Sequence, residues 1–163
     1  MSTSDKNQEK PVELLEHTSG EAEQPFEWAV GRYGSKFLAE VRDRKRLLGI
    51  KCPKCGFVFV PPRRVCRTCF VQMEELVELG TEGVIQGFTV LNFSFIDPIT
   101  GKKKPVPYGY VYVKLDGADS TFPHFLKETD WKAIKNGMRV RAVFEQERTG
   151  SLLDIRHFEI IPE

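Results

Sequence analysis

The chain has 163 residues, 40% of them hydrophobic, which is enough for one ordinary domain or two small ones with a packed core. Twenty-four basic side chains stand against 23 acidic ones, a formal net charge of +1, so no global electrostatic pull toward nucleic acid or an anionic membrane is expected. The sequence also lacks the run of about 18 apolar residues that a membrane-spanning helix needs.

Residues 1–24 carry six acidic side chains against two lysines and show no apolar periodicity. They read as an acidic leader that is disordered on its own or ordered only on a partner. Met1 to Glu9 is polar and has no apolar core of a signal peptide, which sets a cytoplasmic expectation. From Pro25 to Leu48 the pattern becomes helical. Gly31 and Gly34 interrupt it, and Ser35 is placed to cap a second short helix with Phe37, Leu38 and Val41 on one face. Phe26, Trp28 and Phe37 are large apolar groups ahead of any core of their own. They either lie on the later domain or bind another chain, which makes 25–48 a candidate docking segment.

Residues 49–78 carry the strongest chemical signal. Cys52, Cys55, Cys66 and Cys69 are the chain's four cysteines, arranged as two Cys-x-x-Cys pairs. Each pair can supply two thiolates from one turn, and two facing turns close a tetrahedral site for zinc; Gly56 suits the bend after Cys55. Four protein ligands leave no open position, so the metal is structural rather than catalytic. Iron in a four-thiolate site is the alternative that ligand type leaves open, and disulfides are disfavoured in a reducing compartment. Phe57 to Val60 return from the first pair as a strand that Pro61 and Pro62 end. A ribbon this small depends on its metal to fold. Between Glu40 and Phe70 there are nine basic residues and two acidic ones. They either offset the charge of a four-thiolate zinc or form an anion- or partner-binding surface.

From residue 79 to 163 the pattern is β. A long strand from Val84 bends near Gly87, and a loop, D-P-I-T-G-K-K-K-P-V-P, leads to a strictly alternating strand, Tyr108–Leu115. A third strand contains Pro123 and is expected at an edge. Thr129 to Gly137 reads as a short helix, and strands from Met138 and near Ser151 complete the set. Five strands with a helix between the third and fourth match an OB-type barrel. Along Tyr108–Leu115, Val111, Val113 and Leu115 are the core set, which sends Tyr108, Tyr110 and Tyr112 to the other face. That face covers the sheet under the helix, meets a partner or stacks on bases. Lys102, Lys103 and Lys104 crown the loop that OB domains use for ligands.

The succession C-P-K-C-G-x-x-x-x-P-P-R, C-R-T-C, P-Y-G-Y-V-Y-V-K-L-D-G and N-G-M-R-V-R-A-V-F resembles the zinc-ribbon/OB-fold proteins called domain of unknown function 35, an acyl-CoA-associated group; the likeness spans about residues 25–161. It implies a mainly β chain: short N-terminal helices, a rubredoxin-like zinc ribbon and a five-stranded OB-fold barrel. It also implies a role as a non-catalytic subunit of a thiolase-superfamily enzyme, with structural Zn2+ and a coenzyme A ester as substrate of the complex. Under that reading Arg63, Arg64, Arg67, Lys102, Lys103 and Lys104 are candidates to meet CoA phosphates, and Phe26, Trp28, Phe37, Tyr108, Tyr110 and Tyr112 are candidates to meet the partner. No catalytic residues of its own are expected: there is no G-x-S-x-G elbow, no cysteine beyond the metal set and no Gly-rich phosphate loop. His17, His124 and His157 read as surface or satisfied histidines, and Asp154 and Glu159 as solvated strand carboxylates. The competing reading is a nucleic-acid-binding OB protein, against which the near-neutral charge speaks.

Overall fold

The structure, a computed structural model, describes residues 29–94, 96 and 102–162. The acidic leader, Phe26 and Trp28 fall outside the described residues.

Helix α1 spans Gly31–Arg44 and so starts four residues ahead of the cap expected at Ser35, while Phe26 and Trp28 of the first expected helix lie outside the described residues. Gly34 is inside it, and the Ser35 hydroxyl donates back to the Gly31 carbonyl at 2.8 Å instead of capping a new start. The helix ends in a left-handed Lys45, whose amide returns to Val41 while that of Arg46 returns to Glu40. Its inner face carries Phe37 and Val41, both buried.

Three strands follow as one small antiparallel sheet in the order β2-β1-β3: β1 Leu47–Lys51, β2 Val58–Phe59 and β3 Glu75–Leu79. Gly49 lets the strands close up, since a Cβ there would stand 2.8 Å from Val58 Cγ1 and 3.2 Å from the Phe59 carbonyl. Five further strands form a closed barrel in the order β4-β5-β6-β8-β7. They are β4 Glu82–Leu91, β5 Tyr108–Leu115, β6 Phe122–Leu126, β7 Arg139–Phe144 and β8 Ile155–Ile160. The bend expected near Gly87 appears as a register shift between Ile85 and Gly87 against β5.

Two expectations in the barrel are corrected. The segment from Thr129 to Gly137 is a series of turns, not a helix. Its first turn is closed by the Ala133 amide on the Asp130 carbonyl, and the buried Ile134 is its contribution to the core. Strand β6 is not an edge strand, although it contains Pro123. Pro123 pairs with Tyr112 on the β5 side, whereas β8 meets β6 only at Leu126↔Phe158, so the missing proline N–H falls where β6 has one ladder neighbour.

Ribbon and barrel share one core. Phe37, Val41, Leu47 and Val60 lie in the same buried cluster as Ile85, Val111, Leu115, Phe122, Val140 and Phe158 of the barrel. Phe37 packs its ring 6.1 Å from that of Phe122, so it belongs to the chain's own core and is not free to anchor a partner. The Asp119 and Ser120 amides both donate to the Val58 carbonyl, Val58 N–H donates to Asp119 Oδ2 at 2.9 Å, and Val60 N–H donates to Ser120 Oγ at 2.8 Å. Behind α1, the Arg148 guanidinium donates to the Arg42 carbonyl at 2.6 Å. Asp154 is buried rather than solvated: it accepts from the Thr149, Gly150 and Ser151 amides and fixes the turn before β8. Glu159 is half-buried and bridged by Arg141 and Lys127.

His124 is buried between Phe122 and Phe158, and its Nε2 donates to the Ile155 carbonyl. Burial holds its pKa below the ordinary 6.5, Lys104 and His157 push the same way, and the hydrogen bond to Ile155 opposes them. As pH falls below about 6.5, the unfolded chain binds a proton that the folded chain refuses, so stability declines toward acid. In His124→Gln that part of the decline disappears. Urea unfolding at pH 8, 7 and 6 should give a flatter midpoint-against-pH line for the variant; parallel lines would show that His124 does not titrate this way.

Candidate metal centre and the barrel face

The two knuckles are built alike. In the first, Cys52 N–H donates to the Phe57 carbonyl, Gly56 N–H to the Cys52 carbonyl, and Cys55 N–H to Cys52 Sγ at 3.5 Å. In the second, Cys66 N–H donates to the Val71 carbonyl, Phe70 N–H to the Cys66 carbonyl, and Cys69 N–H to Cys66 Sγ at 3.4 Å. The fifth residue of each turn is left-handed: Gly56 at φ 76° in one, Phe70 at φ 55° in the other. The sequence signal for Gly56 was plain, but its counterpart Phe70 was not recognised, because no residue-type preference marks a phenylalanine for that conformation.

The four sulfurs lie within 4.8 Å of one another, with Cys55 Sγ 3.9 Å from Cys66 Sγ. Four thiolates about 2.3 Å from a tetrahedral zinc stand about 3.8 Å apart, so the set fits that ion. The electrostatics agree. Burial pushes the Cys52 thiol up, but hydrogen bonds from the Cys55 and Lys54 amides and neighbouring thiols bring it down to about 6. Cys69 is pushed up to about 12, first by its sulfur contact with Cys55 and then by burial and the remaining thiols. Cys52 ionises easily while Cys55 and Cys69 are held up by their sulfur neighbours, a conflict that a bound dication removes. Ile50, Cys52, Phe59, Cys66 and Met73 form a small buried cluster beneath the site.

The candidate anion-binding residues fall in separate places. Arg63 and Arg64 line a cleft of about 550 Å³ against the start of α1, with Arg32, Tyr33 and Glu74. The Arg63 guanidinium lies 4.8 Å over the Phe59 ring, and that of Arg67 lies 5.4 Å over Phe57. Lys104 is on the barrel instead, its ammonium 3.3 Å from the Phe125 ring centroid and 5.3 Å from that of Tyr108. It lines a second cleft, about 410 Å³, with Tyr108, Phe125, Lys127, Arg156 and His157. Lys103 bridges to Ile96, and both Lys102 and Lys103 are exposed.

The tyrosines take the outer face as alternation requires. Val111, Val113 and Leu115 are buried, whereas Tyr112 is 50% exposed and Tyr108 and Tyr110 are half-buried. Tyr110 meets Phe125 at 5.6 Å and Tyr112 at 6.4 Å, both edge-on. Phe125, Lys127 and Arg156 were missed from sequence because cross-strand register, here Tyr110↔Phe125, is invisible in one strand's pattern. Burial raises the pKa of the Tyr108 and Tyr110 phenols, so both stay neutral.

A closed four-thiolate ribbon fused to a five-stranded barrel defines the class as a zinc-ribbon/OB-fold protein. Residues 39–74 match the family model "ChsH2, rubredoxin-like zinc ribbon domain" and residues 76–145 match "ChsH2, C-terminal OB-fold domain". A "DUF35 domain-containing scaffold protein" of Methanothermobacter thermautotrophicus is 33% identical over 111 residues, which are 66% of this chain and 78% of that protein. One of the same description from Methanocaldococcus jannaschii is 28% identical over 108 residues, 65% of this chain and 72% of its own length. The chain belongs to the DUF35 family. Among solved structures, the Ltp2-ChsH2(DUF35) aldolase superposes with a TM-score of 0.60 at 20% identity, covering 82% of this chain and 98% of that one. A DUF35 protein of Sulfolobus solfataricus gives 0.55 at 20% identity, over 80% of this chain and 84% of its own. No described helix is long and apolar enough to cross a membrane.

Replacing Cys66 with serine removes a buried ligand and half of one knuckle's sulfur pair. The purified variant should hold far less than one zinc per chain by elemental analysis, and the ribbon amides around Ile50 and Met73 should lose hydrogen-exchange protection. Full zinc retention would show that the four sulfurs do not act as one site.

Proposed function

We propose that this chain is a non-catalytic zinc-binding scaffold subunit of a cytoplasmic thiolase-superfamily enzyme that acts on acyl-CoA esters. It completes or shields the acyl-CoA entrance and stabilises the active assembly. The observation that carries this reading is the pairing of a four-cysteine cluster that leaves no open metal position with a barrel whose outer face presents Tyr108, Tyr110, Tyr112 and Phe125. Such a molecule offers surface rather than reacting groups, and aromatic surface of this kind is enriched where proteins meet. The relatives described as scaffold proteins support it.

Within this reading Lys102, Lys103 and Lys104 at the barrel loop steer the phosphates of the CoA ester, with Arg63, Arg64 and Arg67 forming a second basic surface on the ribbon. Trp28, Phe26 and the tyrosine face meet the catalytic subunit, which supplies the reacting residues. The motif order resembles that of the zinc-finger subunit of benzoylsuccinyl-CoA thiolase in anaerobic toluene degradation, and we propose that complex as one in which the chain serves. Ribbon and boundary assignments follow the same scheme: 25–48 docking segment, 49–78 ribbon, 79–163 barrel.

Affinity purification of the tagged chain from its own organism should yield a stoichiometric thiolase-like subunit identifiable by mass spectrometry. Recovery of the chain alone, or with nucleic acid, would overturn the reading. In the assembled enzyme, replacing Lys102, Lys103 and Lys104 with serine should raise KM for the CoA ester several-fold and leave kcat near its original value. An unchanged KM would remove the lysines from substrate binding.

A further inference from the structure

Phe70 is the most exposed large apolar side chain among the described residues, at 81%, and it sits on a left-handed backbone with φ 55°. Either property alone is unremarkable in a turn; together they run against two independent preferences. A β-carbon in this region crowds its own backbone, and a bare phenyl group in water gains nothing from folding. The first knuckle is an internal control. The same turn, with the same amide-to-carbonyl bond back to the first cysteine, is made there by Gly56, which carries neither penalty. The ribbon therefore has no structural need for an aromatic ring at that place, and strain kept at an exposed site points to a use for the side chain.

We propose that Phe70 is a docking anchor that inserts into an apolar pocket with an acidic rim on the catalytic subunit. The proposal rests on the scaffold reading above. The chemistry of the socket follows from the surroundings of the ring. Val65, 41% exposed, lies on the same hairpin, where it bridges to Gln72, so the hairpin exposes a second apolar side chain. From Arg63 to Met73 the hairpin has three arginines and no carboxylate, and Arg64 and Arg67 are exposed. An exposed ring on a hairpin with three arginines matches a hydrophobic pocket edged by Asp or Glu, the arrangement in which a few buried aromatics carry most of the binding energy. The stiff knuckle presents the ring with little orientational freedom left to lose, because the metal turn already fixes its backbone.

The test separates strain from recognition by their opposite signs. Phe70→Gly, with zinc content checked, should melt about 2–4 °C higher than the native chain, since it relieves the left-handed strain and loses little contact in the free protein. The same variant should bind the co-purified catalytic subunit about tenfold to a hundredfold more weakly by titration calorimetry, and Phe70→Tyr should keep the native affinity. Undiminished binding by Phe70→Gly overturns the anchor while leaving the scaffold reading intact. A melting temperature no higher than native overturns the strain on which the inference stands. Failure of any catalytic subunit to bind the native chain overturns both. Phe70-dependent binding of a single-stranded oligonucleotide would replace the protein socket with a base.

Discussion

Four sulfurs held within 4.8 Å of each other are the constraint on which the rest depends. Without an ion they crowd polar groups into a space walled in part by Ile50, Phe59 and Met73. A dication turns that liability into a cross-link between two turns 14 residues apart in sequence, counted from Cys52 to Cys66. The β2 side of the ribbon sheet depends on it most: β2 has two residues, and its ladder to β1 has two registered pairs, against five between β1 and β3.

The metal's influence extends past the ribbon because β1 serves two cores. Leu47 at its start lies in the cluster shared with the barrel, and Ile50 near its end lies in the cluster under the sulfurs. The Asp119–Ser120 segment reinforces this from the barrel side by satisfying the outer backbone of β2 at Val58 and Val60. Helix α1 completes the connection with Phe37 and Val41 on one side and the Arg42–Arg148 bond on the other. Ribbon, helix and barrel are therefore one packed body built from pieces that sequence divides.

How much of this was legible in the sequence depends on the range of the interaction. Cysteine spacing, strict alternation in Tyr108–Leu115 and the bend at Gly87 are local signals, and the metal ligands, the inward Val111 and Val113, and the barrel follow from them. The Thr129–Gly137 helix failed because Asp130 and Gly137 are as good in turns as at helix ends, and one buried residue, Ile134, does not make a helical face. Gly34 looked like a break, yet tertiary burial of Phe37 and Val41 outweighed its propensity cost, whereas Gly31, at φ 71°, does mark the start of the helix. Pro123 misled for a different reason: whether a proline N–H is missed depends on the neighbour's register, which the strand itself does not encode. The clefts are the least legible part, since Lys104 meets Phe125, and Arg63 meets α1, only after closure.

The shared strand has a mechanical corollary. A force applied at the metal knuckle is not absorbed by a flexible linker, because the route to the barrel runs through a hydrogen-bonded strand and a backbone clasp at Val58 and Val60. A partner that grips the ribbon thus acts on a lever whose far arm is the tyrosine-bearing wall. Whatever is held at the ribbon would therefore meet that wall at an angle fixed by the shared strand and clasp.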